Sequence, residues 1–220
     1  MPLRIAPWPC AAATEYALSC DGNNKRRVIV IPALFDESNK LRRLTVGVMR
    51  AFEAAGVSSV LPDLPGCNES HVPLAEQTIS SWREAAADAA RHFEATEILS
   101  IRGGSLLAPS HLPLTSYAPV TGSTILRGLL RAAVLSEREA GRANTREALL
   151  ERGLREGLVL AGYALCAEML AELEVAEPAP HARIITQSEL GGAALWLRAE
   201  PGDDPAQAAR LAELVLRAPA

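Results

Sequence analysis

The chain has 220 residues and a mass of 23.4 kDa, enough for one domain of ordinary size. Hydrophobic residues make up 49% and charged residues 22%, which excludes an intrinsically disordered chain. The formal net charge is −4, and this excludes the concentrated positive charge on which nucleic-acid binding depends.

Short apolar runs alternate with longer amphipathic stretches along the chain. The run at 28–31 (VIVI) predicts a strand that is buried on both faces. Apolar residues spaced three or four apart over 41–55 predict a helix after it, and 57–61 predict the next strand. Residues 28–61 therefore form a β-α-β unit, in which the two strands are parallel.

The helix predicted at 41–55 has end signals of its own. Ser38 or Asn39 can cap its start, because a short polar side chain accepts a hydrogen bond from a free backbone N–H of the first turn. Gly56 is expected to end it in a left-handed conformation.

The same alternation continues to the end of the chain. It predicts helices at 78–94 and 205–217 and strands at 97–101, 114–118, 182–186 and 193–197. The predicted fold class is α/β: one domain over 1–220, built on a mostly parallel open sheet of about six or more strands with helices on both faces.

Residues 122–157 interrupt the alternation of strands and helices and predict a helical insertion. The part from 136 to 157 carries five Glu and five Arg, with leucines before and among them. Two or three helices over one edge of the sheet are expected. Two interpretations stay open: a solvated helical face with charge pairs one turn apart, or a cap above a site.

The loop after the second predicted strand, 63–70 (DLPGCNES), resembles a turn of the α/β-hydrolase superfamily, D-x-x-G-x-G-x-S. Asn68 stands where that turn has its second Gly, and Asn is one of the few other residues that tolerate a positive φ. The alternative is a plain Pro-Gly turn. The position after a β-α-β unit favours the hydrolase turn.

On that fold, the segment after the strand 97–101 is expected to form the sharp turn G-x-S-x-G that carries the nucleophile. In the favoured register, Ser100 and Gly104 take the two small positions and Arg102 takes the nucleophile position. A guanidinium is a permanent cation and cannot attack a carbonyl. A register shifted to 103–107 supplies Ser105 but puts Leu107 where close contact requires Gly.

The four histidines offer little support for an ordinary catalytic triad. The superfamily places its histidine after the last strand, and no histidine follows His181. His92, His111 and His181 are expected at the opposite end of the sheet. Only His71 is expected to face the crevice beyond the carboxyl ends of the strands, where open α/β sheets bind ligands.

The loop after the first predicted strand carries four charged side chains or amides near a helix start: Asp36, Glu37, Asn39 and Lys40. One interpretation is helix capping together with an ion pair between Glu37 and Arg102 that fills the vacated nucleophile position. The other is a binding constellation of Arg102, Asn39 and Lys40 for an anionic or hydroxyl-rich ligand.

With these residues, the chain resembles the type 2 hydrolase associated with the exosortase A system of Gram-negative bacteria. The matching segments are 32–43 (PALFDESNKLRR), 61–70 (LPDLPGCNES), 101–104 (IRGG), 129–131 (LLR) and 159–165 (VLAGYAL). The resemblance implies an α/β-hydrolase fold, an Arg at the elbow as a trait of the group, and a link to exopolysaccharide and protein-sorting gene clusters. The chain departs from it at Asn68, in a short amino terminus and in the missing carboxyl-terminal histidine.

The sequence is compatible with two functions of different classes. The first is hydrolysis of ester or acyl substrates without an ordinary triad, through Ser105 or an activated water, with His71 or Glu37 as the base. The second is a catalytically inactive protein that binds an anionic or sugar-like small molecule, or a protein partner. Its predicted ligand-binding residues are Arg102, Glu37, Asn39 and Lys40.

No cofactor and no metal are predicted. No glycine motif for a dinucleotide or a nucleoside triphosphate follows a strand, and neither the four cysteines nor the four histidines have ligand spacing. The cysteine pattern, the lack of a secretion signal and the lack of an apolar run of about 18 residues predict a cytoplasmic protein without a membrane span. Assembly into a homo-oligomer is left open.

Overall fold

The structure is a computed structural model that describes residues 3–11, 13–23 and 25–217. Its strands are Arg4–Cys10 (β1), Ala13–Cys20 (β2), Arg27–Ile31 (β3), Ser58–Pro62 (β4), Glu97–Ile101 (β5), Leu114–Tyr117 (β6), Leu158–Leu160 (β7), Tyr163–Leu165 (β8) and Arg183–Ile185 (β9). Seven of them form one sheet in the order β1-β2-β4-β3-β5-β6-β9. Within this sheet the neighbouring strands β4, β3, β5, β6 and β9 run parallel, and the β1–β2 hairpin joins β4 in antiparallel orientation.

Helices cover both faces of the sheet. They are Asp36–Ala54 (α1), Ile79–His92 (α2), Gly122–Glu139 (α3), Arg146–Glu156 (α4), Ala167–Val175 (α5), Gln187–Leu190 (α6) and Pro205–Leu216 (α7). Side chains of α2, α3, α4 and α5 belong to one hydrophobic core, and side chains of α1 and α7 belong to the other. Apolar residues at helical spacing, such as Leu44, Val48 and Phe52 of α1, therefore become the buried stripe.

The structure confirms the predicted α/β architecture and most of its elements. The strands expected at 28–31, 57–61, 97–101, 114–118 and 182–186 are present within one or two residues, as are the helices at 78–94 and 205–217. The helix predicted at 41–55 is also present, but it begins five residues earlier, at Asp36. Gly56 has a φ of +78° at the end of α1, as predicted. The sheet edges fall on β1, which contains Pro7 and Pro9, and on β9, which has three residues.

Two local predictions are wrong, and one element was not predicted. Residues 193–197 do not form a strand: Leu195–Leu197 is a 3-10 turn with Leu195 buried and Leu197 exposed, because a short apolar run does not distinguish a strand from a helical turn. Ser38 and Asn39 do not cap α1, which begins two residues earlier, after Phe35. The β1–β2 hairpin was not predicted; its two prolines lie on β1, and an edge strand accepts proline.

Two helices, α3 and α4, occupy the stretch 122–157, and the β7–β8 hairpin follows them. Ala161 and Gly162 connect the two strands with φ values of +49° and +87°, the left-handed conformations of a tight hairpin turn. Helix α3 packs against α5, α4 and the hairpin. In the described part of the chain, no helix has the length and apolar character to cross a membrane.

Candidate functional site

A sharp turn follows β5 at the carboxyl edge of the sheet. Arg102, the first residue after the strand, has a φ of +52°, a left-handed conformation that costs free energy for a residue with a side chain. A Cβ on Gly104 would lie 2.4 Å from the carbonyl oxygen of Pro32 and 2.5 Å from that of Ile31, so only Gly fits there. These contacts fit the favoured register, in which Arg102 is at the apex of the elbow.

Three residues contact the guanidinium of Arg102. Its Nε and Nη2 donate to the two carboxylate oxygens of Glu37, each at 2.9 Å, and its Nη1 donates to the carbonyl oxygen of Ala118 at 2.9 Å. The Cζ atom lies 4.2 Å from the ring centroid of Trp196. The side chain is 12% exposed. Glu37 thus neutralises the cation in the two-pronged geometry that suits a guanidinium and a carboxylate.

Strained backbone directly precedes the first turn of α1, from which Glu37 reaches Arg102. Phe35, directly before the helix, has φ +54° and ψ −133°, and Asp36 and Glu37 follow in the first turn. Ala118, whose carbonyl oxygen accepts from Arg102, has a φ of +44°. Three residues other than glycine with positive φ, namely Phe35, Arg102 and Ala118, therefore lie at or next to the ion pair and its partners, and such clustering is typical of functional sites.

The other predicted ligand-binding residues lie beside this pair. The Lys40 Nζ atom lies 2.8 Å from a carboxylate oxygen of Asp36, one turn earlier on α1. Asn39 is exposed at the edge of the site. Of the two alternatives for this loop, the ion pair between Glu37 and Arg102 is present, and the second cation, Lys40, also has a carboxylate partner.

Two cavities adjoin at this edge and together are called the cleft here. Leu34, Phe35 and Tyr163 line both. The smaller cavity has a volume of about 280 Å³, and its walls include Ser38, Asn39, Leu64, Cys67, Asn68 and Trp82. The larger has a volume of about 450 Å³, and its walls include Asp36, Glu37, Lys40, Arg102, Ile125 and Trp196.

The turn at 63–70 forms one wall of the smaller cavity. Asn68 has a φ of +50°, as predicted, and its Nδ2 donates to Oδ1 of Asp63 at 2.6 Å. Gly66 is also left-handed, and a Cβ there would lie 2.6 Å from Cα of Leu74. Burial raises the pKa of the Cys67 thiol to about 12, so this thiol stays protonated and is not a nucleophile near neutral pH.

The weak catalytic candidates are not brought together. Ser105 is 1% exposed, and its hydroxyl donates to the carbonyl oxygen of Arg102 at 2.8 Å. His71 is exposed on the loop after β4, close enough to Glu15 to lower the pKa of that carboxyl. All four histidines lie in the described part of the chain, and none of them lines the cleft.

Glu15 on β2 is a buried carboxyl that the sequence did not single out. It is fully buried, its Oε1 accepts from the Ser70 hydroxyl at 2.8 Å, and its Oε2 has no hydrogen-bond partner. Ser70 in turn accepts from the N–H groups of Gly66 and Val72. Burial raises the pKa of Glu15 above its ordinary value of 4.5, and the nearby Asp63 raises it further. Glu15 therefore anchors the turn that walls the cleft.

We expect Glu15→Gln to change how stability depends on pH. A carboxyl with a raised pKa in the folded state stabilises the fold below its ordinary value of 4.5, and this contribution is lost as pH rises through the raised pKa. Above the raised pKa the variant should therefore be more stable by about 1 kcal/mol, because the wild type then buries a charge whose Oε2 has no hydrogen-bond partner. The gain should vanish below the ordinary value of 4.5. Denaturant titrations over a series of pH values measure it, with exposed Glu139→Gln as the control; a variant that gains no stability over the wild type as pH rises would contradict the assignment.

Trp196, Ala118, Tyr163 and Trp82 are further site residues that sequence reasoning missed. Trp196 lies in the segment that was predicted as a strand. In the structure this segment follows the last strand, β9, and the Trp196 ring contacts the guanidinium of Arg102. Tyr163 comes from the unpredicted hairpin and packs edge-on against Phe35, with ring centroids 5.2 Å apart. The segment 159–165 in the exosortase-associated resemblance was the only signal that pointed to Tyr163.

Comparison with known proteins supports the architecture. No protein-family model matches the sequence, and no curated protein matches it significantly. A protein from Agrobacterium vitis S4 that is assigned as a hydrolase superimposes with a TM-score of 0.54 at 14% identity, over 98% of each chain. Ferulic-acid-bound Est1E from Butyrivibrio proteoclasticus gives 0.56 at 16% identity, over 78% of this chain and 71% of that one.

Mouse alpha/beta hydrolase domain-containing protein 10 gives a TM-score of 0.52 at 16% identity, over 78% of this chain and 69% of that one. Sequence identities this low are evidence for a shared fold alone. The mostly parallel sheet with helices on its two faces matches the fold of these structures. This chain has the fold of the α/β-hydrolases.

Proposed function

We propose that this chain is a non-catalytic binding protein on an α/β-hydrolase fold, with an uncharged, sugar-like or aromatic small molecule as its ligand in the cleft. The observation that carries the proposal is the Arg102 guanidinium at the elbow apex, bound to both oxygens of Glu37. The apex thus holds a neutralised cation, which supplies neither a nucleophile nor a free anion receptor.

The charges around the larger cavity favour a neutral ligand. Asp36 and Lys40 form one pair, and Glu37 and Arg102 form the other, so the four charged side chains on its wall cancel. Each of the two cations already has a carboxylate partner, so a ligand carboxylate that approached either cation would be repelled by that partner. An anionic ligand held by Arg102, as first considered, would have to displace Glu37.

The uncharged part of the wall suits a ring that carries polar groups. Phe35 and Trp82 pack with ring centroids 5.7 Å apart, and Tyr163 completes the group. Asn39 and Asn68 offer amide donors and acceptors on the same cavity. Aromatic faces beside a few hydrogen-bonding groups are typical of sites for sugars and aromatic ligands.

The helical segment 122–157 serves as the cap in this proposal. Thr124, Ile125, Gly128, Leu129 and Ala132 of α3 line the larger cavity, so this helix shapes its entrance. The α4 helix lies behind α3 and carries the exposed charge pairs, such as Arg152 with Glu156. The cap and the solvated face, treated as alternatives from the sequence, are thus two sides of one segment.

The resemblance to the exosortase-associated hydrolase supports a sugar-like ligand, since it implies a link to exopolysaccharide clusters. We extend the proposal accordingly to a cytoplasmic protein that works alongside such a cluster. The four cysteines are all free, which is compatible with that compartment.

Hydrolysis of an ester or acyl substrate is the second candidate, and the strained elbow favours it. Arg102 and Phe35 keep left-handed backbone, which costs about 1–3 kcal/mol each. Ser105 or a water would have to attack, with His71 or Glu37 as base. Against this, the Ser105 hydroxyl is buried and Glu37 is held by Arg102.

A pair of probes that differ by one carboxylate tests the binding function. We expect p-nitrophenyl β-glucoside to raise the melting temperature and p-nitrophenyl β-glucuronide to raise it less, because both cations are already paired. Tyr163→Ala should abolish the shift. Val159→Ala, on the other strand of the same hairpin and 63% exposed, is the matched control and should keep it. A stronger response to the glucuronide would contradict a neutral-ligand site.

A fluorophosphonate probe and p-nitrophenyl butyrate decide between the two functions. We expect neither labelling nor turnover, because the elbow apex carries no nucleophile. Labelling or turnover that Ser105→Ala removes would establish the hydrolase instead.

A further inference from the structure

Three arginines, Arg42, Arg43 and Arg50, are exposed on helix α1, away from the cleft-facing start of that helix. Within the described part of the chain, no carboxylate oxygen lies within 4.0 Å of any of them, whereas most arginines that form ion pairs do so within their own helix or loop, as Arg152 does with Glu156. An acidic chain thus keeps three exposed cations on one helix with no described carboxylate at ion-pair distance.

These arginines border a groove of about 530 Å³ between α1 and α7. Its floor is made of small side chains, including Gly47, Ala51, Ala208 and Ala209. A Cβ on Gly47 would lie 2.8 Å from Cβ of Ala208, so the two helices approach closely and leave a shallow trough above the contact. The volume suits a small molecule, which would contact both helices.

The charges that face the groove are unequal. The three guanidiniums come from α1, and the carboxylate of Asp203, before α7, is the acidic group on the rim. Arg42 is close enough to Asp63 to oppose the rise in the pKa of that carboxyl, so Arg42 already has an acidic neighbour. The other two cations on the rim are Arg43 and Arg50. They are seven residues apart, which corresponds to about 10 Å along the helix axis.

We propose that this groove binds a soluble ligand with two or more phosphate groups. Guanidiniums bind phosphate oxygens in pairs of parallel hydrogen bonds, and cations about 10 Å apart suit several linked phosphates better than one. The concave floor of small residues favours a small molecule that lies within it over a flat membrane surface. This site is separate from the cleft, so it does not rest on the function proposed there.

Calorimetric titration with tripolyphosphate tests the proposal on the full chain. Arg43→Gln/Arg50→Gln should weaken binding at least about tenfold, because both guanidinium–phosphate contacts are lost. The matched control is Arg131→Gln/Arg138→Gln, which removes two exposed charges at the same seven-residue spacing from α3 and should leave the affinity within about twofold. Melting temperatures of both variants verify that they are folded.

The proposal is overturned if the wild type does not bind tripolyphosphate, or if the two variants weaken binding equally, since the effect would then be one of net charge. A parallel sedimentation assay uses phosphatidylglycerol vesicles. Retention on vesicles that depends on Arg43 and Arg50, without tripolyphosphate binding, would replace the soluble ligand by a membrane surface.

Discussion

Glu37→Gln is expected to lower the free energy of unfolding by about 2 kcal/mol, because it leaves the Arg102 guanidinium, 12% exposed, beside a neutral amide. Complete burial would make the loss larger, and the partial exposure of Glu37 makes it smaller. Denaturant titration measures it. Glu147→Gln, which also removes an arginine-paired Glu from the first turn of a helix, should produce no measurable loss, since Glu147 and Arg146 are both exposed.

The same variant should change the charge preference of the cleft. With Glu37 neutral, Arg102 regains a net positive charge, so the glucuronide should bind about tenfold more tightly than the glucoside. If Glu37→Gln keeps wild-type stability and wild-type preference, the ion pair does not set the character of the site. The double variant Arg102→Met/Glu37→Met should recover most of the stability, because it removes both charges together.

Gly104→Ala is expected to be strongly destabilising. The new Cβ would lie within 2.5 Å of two backbone carbonyl oxygens, which cannot move aside without displacing β3, so we expect a loss of about 3 kcal/mol or failure to fold. Gly128→Ala is the matched control. It places the same methyl group on α3 where no atom lies within 4 Å, and it should stabilise the protein by about 1 kcal/mol.

Thermal and chemical unfolding of the two glycine variants give the comparison directly. If Gly104→Ala is as stable as wild type, the elbow is not packed against the end of β3, and the placement of Arg102 at its apex loses its main support. A destabilised Gly128→Ala would show instead that any added methyl group near the cleft is harmful.

The sheet and its elbow could be predicted because their signals are local. A run such as 28–31 has no polar face, and Gly104 is needed wherever backbone passes that close. The candidate pair of Glu37 and Arg102 also followed from the sequence, since both come at the carboxyl ends of neighbouring strands. Sequence spacing alone could not decide whether the pair forms or stays open to a ligand.

The remaining walls of the cleft could not be predicted, because they come from segments without a clear period. Trp196 lies on a 3-10 turn whose apolar run looked like a strand, and Tyr163 lies on a hairpin of two three-residue strands. Glu15 belongs to a strand that prolines in its hairpin partner obscured. Only tertiary packing brings these side chains to the turn after β5.

The two borders of the sheet have a consequence for self-association. Pro7 and Pro9 remove N–H donors from the β1 border, and the β9 border offers only the three residues of Arg183–Ile185. Neither border is a good template for an incoming strand, so a second copy gains few hydrogen bonds by docking there. A dimer of this protein should therefore not form by strand pairing at these two borders, and continuous ribbons that grow from them, of the kind found in fibrils, should be disfavoured.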